Sequence, residues 1–345
     1  MLDKLIPVKS FLGKYHQELL SLSKQDKYKN TDLGRFFEQR FHIQNNKVRM
    51  IVDPLITDLT LVISGNEIYI SKKLYDHPNV IVNNSLESSQ QVDIKELYDS
   101  EIFSTIAYLL CQNQTTLQIV GEIDEPIYIT YKADYETFYN SLLVFDILDG
   151  IEVEVIEEIE SFGALNAVTN YILSPESTLN LRSFYKNHIS SLSFFYRNII
   201  VRDGAAFNHI LFGKGSTTVI DENRIQISPK AIVELFGIVN SLGKNFHTIL
   251  GVQSETNNYS VSVDYKGILF KNSNVSFYPT ILGELPTEDS ATIDISNITT
   301  DDIPSDEVSS KISEFISGIV NDAILVRMSG VKRFYDNKSK YLFSL

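Results

Sequence analysis

The sequence predicts a mainly β protein built from a long ladder of short strands. Between Thr115 and Phe270, apolar runs of strand length recur at short, regular intervals, and no helix-length apolar pattern interrupts them. Turn-forming pairs such as Asp149-Gly150 and Asp203-Gly204 stand between the runs. Evenly spaced short strands of this kind are typical of a β-sandwich, a β-barrel or a β-solenoid. The pattern alone leaves these three folds open.

The predicted strands share a high content of aliphatic and aromatic residues. They are Thr116–Val120, Ile127–Tyr131, Leu142–Leu148, Ile151–Ile159, Val168–Leu173, Ser193–Val201, Phe207–Phe212, Thr217–Ile227, Ala231–Val239, Phe246–Val252 and Tyr259–Phe270. Further turns are expected at Ser174-Pro175, Gly213–Gly215, Ser228-Pro229, Leu242-Gly243 and Asn257-Asn258.

The N-terminal part, up to about residue 43, is predicted to be helical. Phe11, Tyr15 and Leu19 recur at four-residue spacing, and Leu33 and Phe37 belong to a second apolar stripe with the same period. A polar, lysine-rich connection separates the two stripes. We therefore expect two helices ahead of the strand ladder.

A small alternating unit comes between these helices and the ladder. Leu59–Ile63 and Ile68–Ile70 flank the turn sequence Ser64–Glu67, which predicts a β-hairpin. Asp93 is a suitable N-cap for a helix that runs to about Cys111.

The C-terminal region contains the clearest amphipathic helix pattern of the chain. Ser305 is a suitable N-cap, and Asp306 and Glu307 favour the first turn through the helix dipole. The apolar positions fall on one helical face; they are Val308, Ile312, Phe315, Ile316, Ile319, Val320, Ala323 and Ile324. This face packs on the strand ladder or docks a partner subunit, and the pattern leaves both options open.

Composition excludes several classes of function. The formal net charge of −14 argues against general nucleic-acid binding and against docking on an anionic membrane, since both need a basic surface. A single cysteine excludes an internal disulfide framework and favours a reducing compartment. No signal-peptide pattern and no long apolar run occurs, so we expect a soluble, cytoplasmic protein.

The sequence shows no catalytic constellation. Gly213–Thr217 resembles part of a phosphate loop, but it lacks the leading glycine and lies between two strands, so we expect a tight turn. The single cysteine, Cys111, falls on the apolar side of a predicted helix and is expected to be an inert core thiol. The histidines are scattered without metal-ligand spacing; they are His16, His42, His77, His188, His209 and His247.

Two further features are predicted to be structural. The acidic run contains Glu152, Glu154, Glu157, Glu158 and Glu160, and alternation with aliphatic residues predicts a solvated strand face. The aromatic sets are predicted to stack in the core; they are Phe184-Tyr185, Phe194-Phe195-Tyr196 and Phe207 with Phe212. The residues therefore favour a binding or scaffold protein over an enzyme.

Several segments, in order, resemble the β-helix proteins of the SUF iron–sulfur assembly system, the SufB/SufD family, and SufD more than SufB. Asp146–Glu158 is similar to the family's first solenoid strand, in which acidic and aliphatic residues alternate, and Ala167–Leu179 to the rungs that follow. His247-Thr248 and then Val261–Phe270 are similar to the histidine-containing rung and to a later strand.

The resemblance covers roughly residues 55–328 and implies a mainly β fold, a right-handed β-helix (solenoid) flanked by N-terminal and C-terminal helices. It implies an N-terminal helical and small α+β region at 1–114, a β-helix core at 115–300 and a C-terminal helical segment at 301–345. In the family, C-terminal helices bind the ATPase subunit SufC. The resemblance therefore implies that an ABC-type ATPase contacts Ile312, Phe315, Ile316 and Ile319.

The chain departs from the family after Phe277. The chain is expected to run from Tyr278 straight to the terminal helix, without the rungs that carry the family's cluster-assembly cysteine, histidine and glutamate. No catalytic, metal or cofactor residue is therefore carried over. The expected function is a non-catalytic, SufD-like scaffold that dimerises with a SufB-like subunit or with itself through edge strands. The alternative is a structural or interaction protein, such as a mobile-element or virion component, that keeps the β-helix without this role.

Overall fold

A computed structural model describes most of the chain. The described residues are 5–25, 28, 31, 33–43, 49–65, 67–84, 102–110, 114–188, 190–214, 217–240, 245–269, 273–286 and 291–299.

Short helices and strands make up the N-terminal part. The helices are α1 (Val8–Leu12), a 3-10 turn (Gly13–Tyr15), α2 (His16–Leu22), α3 (Leu33–Glu38), α4 (Lys72–Tyr75) and α5 (Ile102–Leu110). The strands are β1 (Ile6–Pro7), β2 (Arg40–Ile43), β3 (Arg49–Asp53), β4 (Thr60–Ser64), β5 (Glu67–Ser71) and β6 (Val80–Asn84). The predicted hairpin is confirmed, because β4 and β5 pair antiparallel.

The rest of the described chain is a β-solenoid of about six turns. Its strands are β7 (Thr115–Ile119), β8 (Ile127–Ala133), β9 (Thr137–Ile147), β10 (Glu152–Ser161), β11 (Ala164–Leu173), β12 (Thr178–Tyr185), β13 (Leu192–Val201), β14 (Ala206–Lys214), β15 (Thr218–Ile227), β16 (Ile232–Asn240), β17 (Asn245–Ser254), β18 (Ser260–Leu269), β19 (Asn274–Gly283) and β20 (Ala291–Thr299). Each turn, called a rung below, contributes one strand to each of two sheets.

Parallel pairing between successive rungs builds both sheets. The first sheet contains β9, β11, β13, β15, β17 and β19 in this order, preceded by β1, β2, β6 and β7. The second sheet runs from β20 through β18, β16, β14, β12, β10 and β8 to β4, β5 and β3. Of the three folds that the strand ladder allowed, the solenoid is therefore the observed one.

The main core lies between the two sheets, because alternate side chains of every strand point into the solenoid. On β16, for example, Val233, Leu235 and Val239 belong to this core, whereas Phe236 and Ile238 point outward from the second sheet. Each inward side chain packs on its equivalents in the rungs above and below, so stability accumulates from neighbouring interfaces.

One corner of the solenoid repeats a left-handed backbone conformation on successive rungs. Gly150 and Gly204 have φ values of 70° and 68°, and Glu176 and Lys230 have values of 60° and 61° at the equivalent corner of the alternate rungs. The amide of Gly150 donates to the carbonyl of Pro175, and the amide of Glu176 donates to that of Asp203. Glycine adopts this conformation at little cost, which explains the Asp-Gly pairs in the sequence.

A second core forms where the N-terminal helices cover the outer face of the first sheet. Phe36 of α3 and Phe103 of α5 pack on Phe194 of β13, with ring centroids 4.7 and 4.5 Å apart. The hydroxyl of Tyr28 also donates to Glu222 of β15 at 2.7 Å. This helical layer covers the outer face of the first sheet around β9, β11 and β13.

Three predictions about the elements need correction. The N-terminal part is not helical up to residue 43, because Arg40–Ile43 forms β2 and joins the first sheet. Thr178–Tyr185, absent from the predicted ladder, is the strand β12. The ladder also continues beyond Phe270, because β19 and β20 extend both sheets in register. Proline, turn residues and polar positions in these segments hid a strand pattern that parallel pairing stabilises.

Candidate functional site

The solenoid interior contains a cluster of charged side chains around Arg197. Arg197 lies on β13 of the first sheet, and its side chain is 0% exposed. Glu157 reaches it from β10 of the second sheet, and Asp221 from β15, one rung further along the first sheet. All three side chains sit at inward positions, so the alternation of the strands brings these charges into the core.

Arg197 is bound by both carboxylates. Its Nη2 and Nε donate to Oε2 of Glu157 at 2.7 and 3.1 Å, and its Nη1 donates to Oδ1 of Asp221. Its Nη2 also donates to the hydroxyl of Ser183 at 3.0 Å, and its guanidinium lies 4.1 Å from the ring centroid of Phe195. Arginine suits this position because its planar fork donates several hydrogen bonds at once.

Hydroxyl and amide groups complete the coordination of the two carboxylates. Tyr171 and Ser183 donate to Glu157, and Tyr185 and Asn223 donate to Asp221. Every one of these donors is buried. The network therefore replaces water around charges that would otherwise be expensive to bury.

The charges in this cluster stabilise one another. Burial alone would raise the pKa of Asp221, but the charge of Arg197 and its hydrogen bonds outweigh burial and lower the pKa. Burial alone would lower the pKa of Arg197, but Asp221 and Glu157 raise it well above its ordinary value. Two carboxylates and one guanidinium leave the cluster with one excess negative charge.

His209 borders the cluster from β14 of the second sheet. Its Nε2 lies 2.9 Å from the hydroxyl of Ser183, which donates its own proton to Glu157. Burial, with a smaller contribution from the charge of Arg197, lowers the pKa of His209 to about 3. His209 is therefore neutral at pH 7, and the bond to Ser183 assigns its proton to Nε2.

Tyr265 closes the space beside this cluster. Its ring packs over Gly237 on the neighbouring strand, where a Cβ atom would lie 2.1 Å from Cδ1 of the ring. Only glycine admits the ring at this position. The rungs that carry the cluster pack around it, and Glu157, Arg197 and Asp221 serve as partners for one another. This arrangement suits a structural role in fixing the register of the rungs.

The last rung of the solenoid differs from the interior, because its strands are open at one edge. Within the described residues, β19 pairs only with β17, and β20 only with β18. Apolar side chains of this rung are exposed to solvent; they are Tyr278, Leu282, Leu285 and Ile293. An open parallel edge with exposed apolar residues is a surface that another strand or subunit can extend.

A polar groove of about 530 Å³ lies on the outer face of the first sheet near this end. Arg224, Gln226, Gln253 and Glu255 line it, with Nη2 of Arg224 3.5 Å from Oε1 of Gln253. Amide, hydroxyl and charged side chains contribute to its lining, which suits contact with polar groups of a neighbour.

The structure corrects one prediction about a candidate site and confirms another, and some predicted site residues lie outside the described ranges. Glu157 was expected on a solvated face, but it is inward-facing and 0% exposed, because the inward positions of β10 continue without a break from Val153 and Val155 to Glu157. The aromatic sets at 184–185, 194–196, 207 and 212 are confirmed as buried. Cys111 and the predicted ATPase contacts Ile312, Phe315, Ile316 and Ile319 lie outside the described residues.

Sequence reasoning did not identify the partners of Arg197, which are far apart in the chain. Glu157, Ser183 and Asp221 meet Arg197 only through the stacking of rungs. The rung length is 26 to 30 residues, as in the pairing of Ser193 with Val219 and of Val261 with Ala291. This repeat is the signal that could have aligned them.

Among the described residues, no helix is long and apolar enough to cross a membrane. In the same part of the chain, no three His, Cys, Asp or Glu side chains are placed to hold a metal ion. Compared with known proteins, the chain matches no protein-family model, and no curated protein is significantly similar to it.

Proposed function

We propose that this chain is a non-enzymatic scaffold subunit that assembles through the open last rung of its solenoid. The observation that carries the proposal is the exposure of β19 and β20. Leu282 is 56% exposed, and the inward-facing Phe277 and Ile281 are only partly buried. Their equivalents in the preceding rung, Thr248 and Val252, are buried. Burying this rung removes apolar surface from water, which favours association.

The proposed partner is a SufB-like subunit or a second copy of the chain, within an iron–sulfur assembly complex. A second parallel solenoid would offer its own strand edges and apolar last rung, so that backbone bonds and apolar contacts form together. The ordered resemblance of Asp146–Glu158, Ala167–Leu179 and Val261–Phe270 to the SufB/SufD family supports this assignment.

The proposed second partner is a SufC-like ATPase, bound through the apolar face of the segment after β20. Ile312, Phe315, Ile316 and Ile319 lie on one face of the predicted helix. A helical face of this kind fits an apolar groove on a partner subunit. In this role the chain holds the subunits together and catalyses no reaction.

The test is affinity purification of the tagged full-length chain from its native cell, followed by mass spectrometry. Leu282→Asp places a charge on the last rung and is expected to reduce recovery of the solenoid partner, or of an untagged second copy, at least tenfold. Leu55→Asp is the matched control, since Leu55 is 86% exposed on the loop between β3 and β4 at the opposite end of the second sheet. Equal recovery with both variants would contradict the proposal.

The ATPase contact has its own variant. Phe315→Asp is expected to abolish recovery of the ATPase while leaving the far-UV circular dichroism of the strands unchanged. Recovery of the ATPase with this variant, or loss of the β signal, counts against the contact.

A second function is favoured by the packing of the interior. Glu157, Arg197 and Asp221 are fully used in mutual hydrogen bonds, which suits a solenoid that serves only as a structural element. Such a chain would be an interaction or structural protein, such as a mobile-element or virion component, that keeps the β-helix. Neighbouring genes for structural proteins, in place of an ATPase and a cysteine desulfurase, would favour this second function.

A further inference from the structure

The outer face of the second sheet carries an apolar stripe that crosses several rungs. Ile210 and Phe212 of β14 lie beside Phe236 and Ile238 of β16, respectively, in the parallel register. Phe184 of β12 extends the stripe, and its ring stacks on Phe212 with centroids 5.3 Å apart. These side chains alternate with the inward residues Leu211, Leu235 and Val239 of the main core. They therefore point away from the solenoid interior.

The stripe is buried although it faces outward. Ile210, Phe236 and Ile238 are each 1% exposed. An outward side chain at the centre of a sheet reaches this value only beneath a covering layer. On the first sheet that layer is visible: α5 packs on β9, β11 and β13. On the second sheet the described helix that packs is α4, and it contacts β3, β4 and β5, at the N-terminal end.

Ion pairs border the stripe on both sides, and Arg182, Asp264 and Lys266 are themselves buried. On β12 and β10, Nη1 of Arg182 lies 2.8 Å from Oε1 of Glu154. On β18, Nζ of Lys266 lies 2.9 Å from Asp264 and 2.6 Å from Asp294. An apolar strip with charged borders matches the amphipathic helix pattern, in which one apolar face is flanked by polar residues.

We infer that the segment Val308–Ile324 of this same chain is the layer that covers the stripe. Its apolar residues, which include Ile312, Phe315 and Ile319, repeat with helical period and form one face. The chain enters this segment from β20, the last strand of the second sheet. The other long segment outside the described ranges, residues 85–101, joins β6 and α5, which both belong to the first sheet and its helical layer.

The dimensions agree with this assignment. A helix over Val308–Ile324 would be about 25 Å long. The stripe from β12 to β18 crosses three interstrand gaps, which is about 14 Å, so the helix spans it completely. The connection from Thr299 to Val308 reaches up to about 30 Å when extended. It therefore allows the helix to begin above any strand of the stripe.

The position of this segment on the stripe, called the seat below, is independent of the proposed assembly through the last rung. It does affect the proposed contact with the ATPase. It uses the same apolar face that the proposed ATPase contact uses. In the isolated chain the face is occupied by the second sheet, and binding of an ATPase through Phe315 requires that the segment first leave its seat. The seat thus acts as an internal competitor of that partner.

The test is site-specific photo-crosslinking in the isolated full-length chain. The photoreactive amino acid p-benzoylphenylalanine replaces Phe315, and after irradiation the crosslinked peptides are identified by mass spectrometry. The expected crosslinks join position 315 to peptides that contain residues 206–212 or 232–240. The matched control places the same photoreactive group at Asn321, which lies on the opposite face of the predicted helix. The control is expected to give at least tenfold fewer crosslinks to these peptides.

The outcomes separate the seat from its alternatives. Crosslinks from position 315 to the stripe in a monomeric product support the inference. Crosslinks to other peptides, equal yields from both positions, or products found only in covalent dimers overturn it. Because no ATPase or second subunit is present, failure here leaves the proposed assembly function untouched, and failure to recover partners from cells leaves the seat untouched.

Discussion

The middle rungs and the last rung of the solenoid have the same strand geometry but opposite surroundings. In the middle, the two sheets enclose a charged cluster in which Arg197 is surrounded by Glu157, Asp221 and their hydrogen-bond donors. In the last rung, Phe277 and Ile281 point inward but remain partly exposed. A parallel rung is therefore complete only when it has neighbours on both sides.

This difference separates stability from association. Charges can be buried in the middle because several rungs together supply their partners. In the described part of the chain the last rung has a neighbour on one side only, and its apolar residues Tyr278, Leu282 and Ile293 are exposed. Changes in the middle should therefore alter the free energy of unfolding, whereas changes in the last rung should chiefly alter assembly.

The largest expected effect comes from removing the central cation. Arg197→Met leaves Glu157 and Asp221 buried without their counter-charge, and we expect a loss of about 3–5 kcal/mol in the free energy of unfolding. Urea titration followed by circular dichroism measures this loss. Arg224→Met is the control, because Arg224 lies on the outer face and is partly exposed; we expect a change within about 0.5 kcal/mol. Similar losses for both variants would mean that the cluster does not stabilise the middle rungs.

An intermediate effect is expected from pH. The pKa of His209 is about 3 in the folded protein, against an ordinary value of 6.5 that the unfolded chain regains. Between these values the unfolded chain binds more protons, so the contribution is complete above pH 6.5 and is lost as the pH falls. From pH 7 to pH 5 this amounts to about 2 kcal/mol.

His209→Asn tests this contribution, since asparagine does not titrate. Unfolding by urea at pH 7 and pH 5 should show a pH-dependent loss that is smaller by about 2 kcal/mol in the variant. His247, whose pKa burial lowers to about 4, adds a separate loss in both proteins. If the free energy of unfolding falls by the same amount from pH 7 to pH 5 in the variant as in the wild type, His209 does not make this contribution.

The smallest expected effect comes from making the same substitution, Ile→Val, in a middle rung and in the last rung. Ile225 and Ile281 occupy the same inward column, two rungs apart, with Val252 between them. Ile225 is fully buried and Ile281 only partly. Ile225→Val should cost about 1 kcal/mol, and Ile281→Val about half of that or less, because less of its side chain leaves water on folding. Equal losses would show that the last rung is as closed as the middle.

The sequence predicted those strands whose pattern depends on neighbouring residues, and it missed strands that depend on pairing between rungs. Strands such as Ser193–Val201 and Phe246–Val252 were predictable, because their apolar content and the turns beside them are local properties. The hairpin at Leu59–Ile70 was predictable for the same reason. The strands β12 and β19 were not, because Arg182 and Pro279 break a pattern that pairing with neighbouring rungs tolerates.

The candidate site was less predictable than the fold. Glu157 lies in an acidic run whose alternation indicated a solvated face, yet it is buried opposite Arg197. No residue near Glu157 in the sequence indicates that its partner lies on β13. The exposed residues of the last rung likewise look like ordinary strand residues until the position of the rung is known.

The sequence by itself determined that this protein is mainly β, with regularly spaced strands, turns at Asp-Gly pairs and an amphipathic pattern after residue 305, because these properties depend on neighbouring residues. The solenoid itself was predicted through the family resemblance of the sequence, and the structure confirms it. Only the tertiary structure decided that Glu157 and Asp221 share Arg197, and that, within the described residues, β19 and β20 each pair on one side only. The physical reason is that parallel stacking joins residues a full rung apart, so the environment of a side chain depends on the rungs above and below it.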